Sequence, residues 1–257
     1  MRKSLLGFLI STAAIATVIV GANAQSSIGF RLLKLDGRGV AWTAEARPAT
    51  VTYAFAKGPF HTPNAMNCGL IGPVDGLLEK SRIADSTFRK EVRAAFDMWE
   101  AVANISFTEV DDQEQAGIVI GAQLRPVGRA FANVAYKHHS DTRDVRSIER
   151  SLICLNPEQP WKIGFDGNLA AYDVRYTVAH EIGHTIGLDH PHTTGQLMHF
   201  RYEERFRNLQ PGDIEGAVRL YGPRPMIATP APGSVQDPIM AKVKAASVSD
   251  EQVAPTE

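Results

Sequence analysis

His180-Glu181-Ile182-Gly183-His184-Thr185-Ile186-Gly187-Leu188-Asp189-His190 is the stretch on which the fold and chemistry of this chain turn. Each helical residue advances by about 100°, which leaves His180 and His184 roughly 40° apart on one face, where both imidazoles can meet one metal ion. Glu181 stands beside them. A continued helix would swing His190 off that face and carry it along the axis, so the helix must stop first. Gly187 supplies the stop, because glycine accepts the positive φ of a helix C-cap and lets the chain double back with a third ring nitrogen.

Three neutral imidazoles satisfy three corners of a tetrahedral zinc ion and leave the fourth for water. That is the open arrangement of a catalytic site, whereas structural zinc sites are closed, usually by thiolates. A carboxylate beside such a water is placed as the general base of a metal-assisted hydrolysis. Glu181 is therefore the candidate catalytic residue, and His180, His184 and His190 are the candidate metal ligands. Val174, Val178, Ala179, Ile182 and Ile186 fall on the opposite side of the helix, so one face enters a core while the other lines a cleft.

The stretch reads H-E-x-x-H-x-x-G-x-x-H and resembles the zinc signature of the metzincin metalloproteases. The likeness extends further. Trp99 to Val110, WEAVANISFTEV, resembles the same region of matrixins and serralysins, and Leu209 to Gly222 resembles their closing helix down to the terminal Leu-Tyr-Gly. The resemblance implies an α+β fold: a twisted, mostly parallel five-stranded sheet with packed helices, then a helical C-terminal subdomain below the cleft. It also implies a zinc-dependent endopeptidase with one catalytic zinc and a peptide or protein substrate. Met198 resembles the Met-turn, whose soft thioether underlies the histidine ligands without bonding the metal. Arg129 to Tyr136, RAFANVAY, sits where those families place the edge strand above the cleft, and an open edge can accept an extended peptide as an added strand.

The chain also departs from these relatives. Phe200 stands where serralysins and astacins carry a Tyr near the zinc; Tyr202 is shifted by two and stays outside the catalytic set. Pro191 is more like serralysins than typical matrixins, yet the glycine-rich calcium repeats of serralysins are absent. Matrixins have structural zinc and calcium sites near the place of His138, His139, Asp141 and Asp144. The ligand spacing does not match here, so the loop reads as solvated and calcium has no motif to support it. His192 and His199 read as surface or supporting histidines.

Residues 1–24 carry Arg2 and Lys3, an apolar run from Leu5 to Val20, and Ala22-Asn23-Ala24. This is the order of a secretory signal peptide cleaved after Ala24, with a secreted or periplasmic product. Residues 25–48 form an N-terminal arm, 49–222 the peptidase domain and 223–257 a flexible Pro/Ala-rich tail. Val51–Phe55, Ile105–Val110, Gly117–Gly121 and Ser151–Leu155 read as strands. Phe88, Val92, Ala95, Phe96, Trp99 and Val102 recur at helical spacing behind Ser86 or Thr87 as N-cap. Export permits a disulfide between Cys68 and Cys154, closing roughly 85 residues for about 4 kcal/mol; two buried free thiols are the alternative. Cys68 lies outside any propeptide motif and carries no latency role.

With 44% hydrophobic residues the chain can build a globular core, and a net charge of −1 carries no electrostatic footprint for nucleic acid or anionic membrane. Oligomeric state has no readable signal. Two other classes share the same site: a secreted zinc-containing binding protein, and an amide hydrolase acting on something other than protein. Keeping Glu181, which zinc retention alone does not require, argues against the first.

Overall fold

The computed structural model describes residues 29–43, 48–63, 65, 67–137 and 145–225. Residues 1–24, expected to be a signal peptide, His138, His139, Asp141 and Asp144, and the residues beyond 225 lie outside them. Along the described chain, β1 (Arg31–Leu32) and β2 (Lys34–Leu35) lead into Asp36-Gly37 and return as β3 (Arg38–Ala41). Asp36 and Gly37 take φ of 48° and 76°. Two successive left-handed residues match the twist of the paired strands, and Asp-Gly is a pair that readily adopts them.

β4 (Ala49–Phe55) is followed by the short hairpin of β5 (Phe60–His61) and β6 (Leu70–Gly72), then by α1 (Asp75–Ser81) and α2 (Asp85–Glu100). β7 (Ile105–Glu109), β8 (Ile118–Gln123), β9 (Ala130–Tyr136) and β10 (Val145–Leu155) complete the main sheet. Its five expected strands lie in the order β7-β4-β8-β10-β9. The first four are parallel, and β9 runs antiparallel along β10.

Two hairpins extend that sheet to nine strands among the described residues: β2–β3 joins β10, and β5–β6 joins β8. Their strands are too short for periodicity to reveal. β10 also begins six residues before the expected Ser151, because Glu149 and Arg150 interrupt the apolar pattern of a strand that starts at Val145.

The aromatic stripe of α2 packs on this sheet: Phe88, Val92, Ala95, Phe96 and Trp99 are all fully buried, and Phe96 stacks on Tyr53 at 4.2 Å. The expected cap at Ser86 or Thr87 falls inside the first turn. The N-cap is Ala84, with extended φ and ψ and no side-chain bond, and Asp85 supplies the acidic first turn. Cys68 and Cys154 form a disulfide, tying the segment before β6 to β10.

β11 (Trp161–Lys162) pairs with β12 (Tyr172–Asp173), which leads directly into α3 (Val174–Thr185). Asp173 caps α3 by accepting from the Tyr176 amide at 2.9 Å. β13 (Leu188–Asp189) and α4 (Pro211–Tyr221) follow. The start of α3 is pinned by charge. Glu91 on α2, 6% exposed, accepts from Arg175 Nε at 2.7 Å and from Arg207 at 2.9 Å, and Arg207 also holds Asp173 at 2.9 Å.

Burial alone would raise the Glu91 pKa, but the Arg175 hydrogen bond and the charges of Arg175 and Arg207 carry it below its ordinary value. A depressed carboxylate contributes stability above its unfolded pKa and loses it as pH falls through the folded one. The urea midpoint should therefore drop steadily below about pH 4.5. Glu91→Gln should flatten that acid limb and cost on the order of 2–3 kcal/mol at neutral pH, less than for a fully buried pair because both arginines reach solvent. An unchanged acid limb in the variant would remove Glu91 from this role.

Candidate metal centre

α3 carries His180 and His184 into a cleft beneath β9, and it is fastened by two side chains at its end and one at its middle. Trp42 Nε1 donates to Thr185 O at 2.8 Å, Tyr221 Oη donates to Ile186 O at 2.7 Å, and Trp99 Nε1 donates to Ala179 O at 3.0 Å. The first two satisfy carbonyls that a helix C-terminus otherwise leaves unpaired. Gly187 then takes φ of 103°, and a Cβ there would lie 2.1 Å from Val40 O. The chain reverses into β13, which pairs antiparallel with β1 and carries an Arg31–Asp189 ion pair at 3.0 Å. The N-terminal arm thus braces the segment that delivers His190.

The three rings converge. His190 Nε2 lies 3.1 Å from both His180 Nε2 and His184 Nε2. Two nitrogens each about 2.05 Å from a tetrahedral zinc would be about 3.3 Å apart, so the donor set fits such an ion. Two of the rings are also aimed. His180 Nδ1 meets Leu197 O at 2.8 Å and His184 Nδ1 meets Leu188 O at 2.8 Å. Carbonyls accept only from a protonated nitrogen, which leaves each Nε2 lone pair directed inward. Burial lowers the pKa of all three histidines, that of His184 to about 4, and so keeps them in the neutral form that binds metal.

Glu181 is 3% exposed and lines the same cleft. Burial pushes its carboxyl up to about 7, against the charge of Arg129 and the Ala132 amide that donates to it. The cleft measures about 530 Å³, within the range of small-ligand and cofactor sites. Its upper rim is β9, which pairs with β10 on one side and with no other strand among the described residues. Leu33 and Leu35 from the arm and the half-exposed Phe200 complete the walls.

Met198, 2% exposed, lies under the helix against Gly183, where an added Cβ would meet Met198 Sδ at 2.1 Å. Asp213, fully buried on α4, accepts from the amides of Leu197 and Met198 at 2.8 and 3.0 Å and so holds the turn in place. Of the residues set aside in the sequence, Tyr202 spends its hydroxyl on Glu204 and on the Asp173 amide. His199 receives the Arg201 amide at 3.3 Å, His192 is exposed, and neither joins the three-histidine cluster. Sequence reasoning missed the role of Gly183, for which no local signal exists. It also assigned no site role to Asp213 or to Arg129, which lines the cleft.

A mostly parallel sheet backing this helix, with a glycine-terminated turn and a buried methionine below the rings, places the protein in the metzincin class. Comparison narrows the class. The matrixin family model matches residues 77–222, more than half of the chain, and the chain belongs to that family. Metalloendoproteinase 4-MMP of Arabidopsis thaliana is 27% identical over 194 residues, 72% of this chain and 48% of that protein. Metalloendoproteinase 1 of Glycine max is 29% identical over 156 residues, 55% of this chain and 48% of that protein. Matrix metalloproteinase-23 of Bos taurus is 27% identical over 155 residues, 56% of this chain and 39% of that protein. The chain spans less than half the length of each of these relatives.

Proposed function

We propose that this chain is an exported zinc endopeptidase in which His180, His184 and His190 hold the metal and Glu181 is the general base. The observation that carries this reading is the approach of three Nε2 atoms to 3.1 Å beside a buried carboxylate. When bound, zinc supplies Lewis acidity, acidifying water and polarising a carbonyl. Glu181 accepts the proton of the attacking water and passes it to the departing amine. The edge of β9, which no second strand covers among the described residues, favours an extended peptide over a compact amide, because main-chain groups there beyond those of Ala132, which already meet Asn67 and Glu181, can pair with a substrate strand.

Export rests on the order of residues 1–24, and the domain limits of 25–48, 49–222 and 223–257 remain part of the same reading. No helix among the described residues is long and apolar enough to cross a membrane. The test is chelation. Cleavage of a quenched peptide library should vanish with a chelator and return on adding zinc, while the melting temperature falls and recovers in step, because an ion bound only by the folded state stabilises it. Cleavage that survives full removal of metal would end the proposal.

A further inference from the structure

Arg129 immediately precedes the edge strand and lines the cleft with Glu181 and the three histidines. Other arginines around the helix and the reversal are matched: Arg31 holds Asp189, Arg175 holds Glu91, and Arg207 holds Glu91 and Asp173. Arg129 forms no ion pair among the described residues, and its Nε is buried without a hydrogen-bond partner. The guanidinium carbon lies 5.2 Å from the centre of the Tyr172 ring and 5.6 Å from that of Tyr202. Ring faces attract a cation and fix its position, but they leave its N–H donors unspent. Glu181 does not neutralise it at contact distance, and Asp189 is already held by Arg31.

An arginine partly withdrawn from water, with an idle N–H, beside the place where a peptide would be cut, is short of an acceptor. Burying such a group is costly until an acceptor arrives. A carboxylate matches it best, because the planar fork of the guanidinium binds two carboxylate oxygens together. Resting on the endopeptidase reading, we infer that Arg129 is a specificity residue that selects substrates with an aspartate or glutamate side chain next to the scissile bond. The Tyr172 and Tyr202 rings orient the guanidinium, and the substrate carboxylate supplies the acceptor that the protein withholds.

The test uses the zinc-loaded full chain and quenched peptides that differ only in Glu, Gln, Leu or Lys at each residue flanking the cut. At one flanking position, kcat/KM for Glu should exceed that for Gln by about tenfold to a hundredfold, the range of a charge-assisted hydrogen-bonded pair. Arg129→Gln should collapse that ratio toward one, and Arg129→Glu should turn the preference toward Lys. An arginine that only braces the fold would slow all substrates alike and leave the ratio intact; that result, or a wild-type ratio near one, overturns the inference.

A second measurement separates this inference from the protease reading. Calorimetric binding of the Glu and Gln peptides to the Glu181→Gln variant should show the same preference, and Glu181→Gln combined with Arg129→Gln should lose it. Selective binding in a protein that never cuts any peptide would sink the endopeptidase reading and leave carboxylate recognition by Arg129 standing. Cleavage without any acid preference would do the reverse.

Discussion

Glu181→Gln should keep its zinc and lose about 10²–10⁴ in kcat, the usual contribution of a positioned general base. Glutamine matches the shape of the carboxylate and can still accept from the Ala132 amide, so the three imidazoles, with the carbonyl anchors of His180 and His184, should stay where they are. What it cannot do is take a proton. Because the native carboxylate is buried and its charged form is disfavoured there, the metal-free variant should be no less stable than the wild type. Zinc stoichiometry by mass spectrometry, the melting temperature without metal, and peptide turnover read the three quantities separately. Full turnover in a zinc-replete Glu181→Gln protein would remove Glu181 from the chemistry.

Gly187→Ala is expected to be nearly as damaging by a different route. At φ of 103° an L side chain is strained before any contact is considered, and the new Cβ would stand 2.1 Å from Val40 O. Val40 is fully buried in β3, so relief must come from movement of the reversal itself. That reversal carries Leu188 O, which anchors His184, and, two residues later, His190. Strain of about 1–3 kcal/mol plus the overlap should therefore appear both as lost stability and as lost metal affinity. Equilibrium zinc titration against a competing chelator, with thermal melts of the metal-free chain, measures each. A variant that binds zinc as tightly as the wild type would show that the glycine is not what sets the third ligand.

Much of the frame was legible because its signals are local. The 3.6-residue stripe of α2 and the apolar or alternating runs of β4, β7 and β8 reflect single faces packed on one core, and each falls within a short window. The H-E-x-x-H-x-x-G-x-x-H spacing likewise encodes its geometry in one helix and one turn. Asp36-Gly37 was a readable hairpin signal that the polar setting of Lys34, Arg38 and their neighbours obscured.

Other features are not local in any sense. The pairing of β1 with β13 joins residues far apart in sequence, and two-residue strands have no period to detect. Gly183 looks like a weak helix residue until Met198 is seen against it. Arg129 reads as an ordinary cation ahead of a strand until its Nε proves to be buried without a hydrogen-bond partner at the cleft. Whether the two cysteines meet could only be decided in three dimensions, since a 6.5 Å Cα separation arises from residues 86 apart.

The claim beneath all of this is that a zinc ion is held by three ring nitrogens and no fourth protein atom. X-ray absorption at the zinc edge on the metal-loaded chain tests it most directly. The expected result is three imidazole nitrogens at about 2.0–2.1 Å and one further light-atom ligand, with one imidazole shell lost in His190→Ala. A sulfur shell at about 2.3 Å, or an imidazole count that His190→Ala leaves unchanged, would contradict the account.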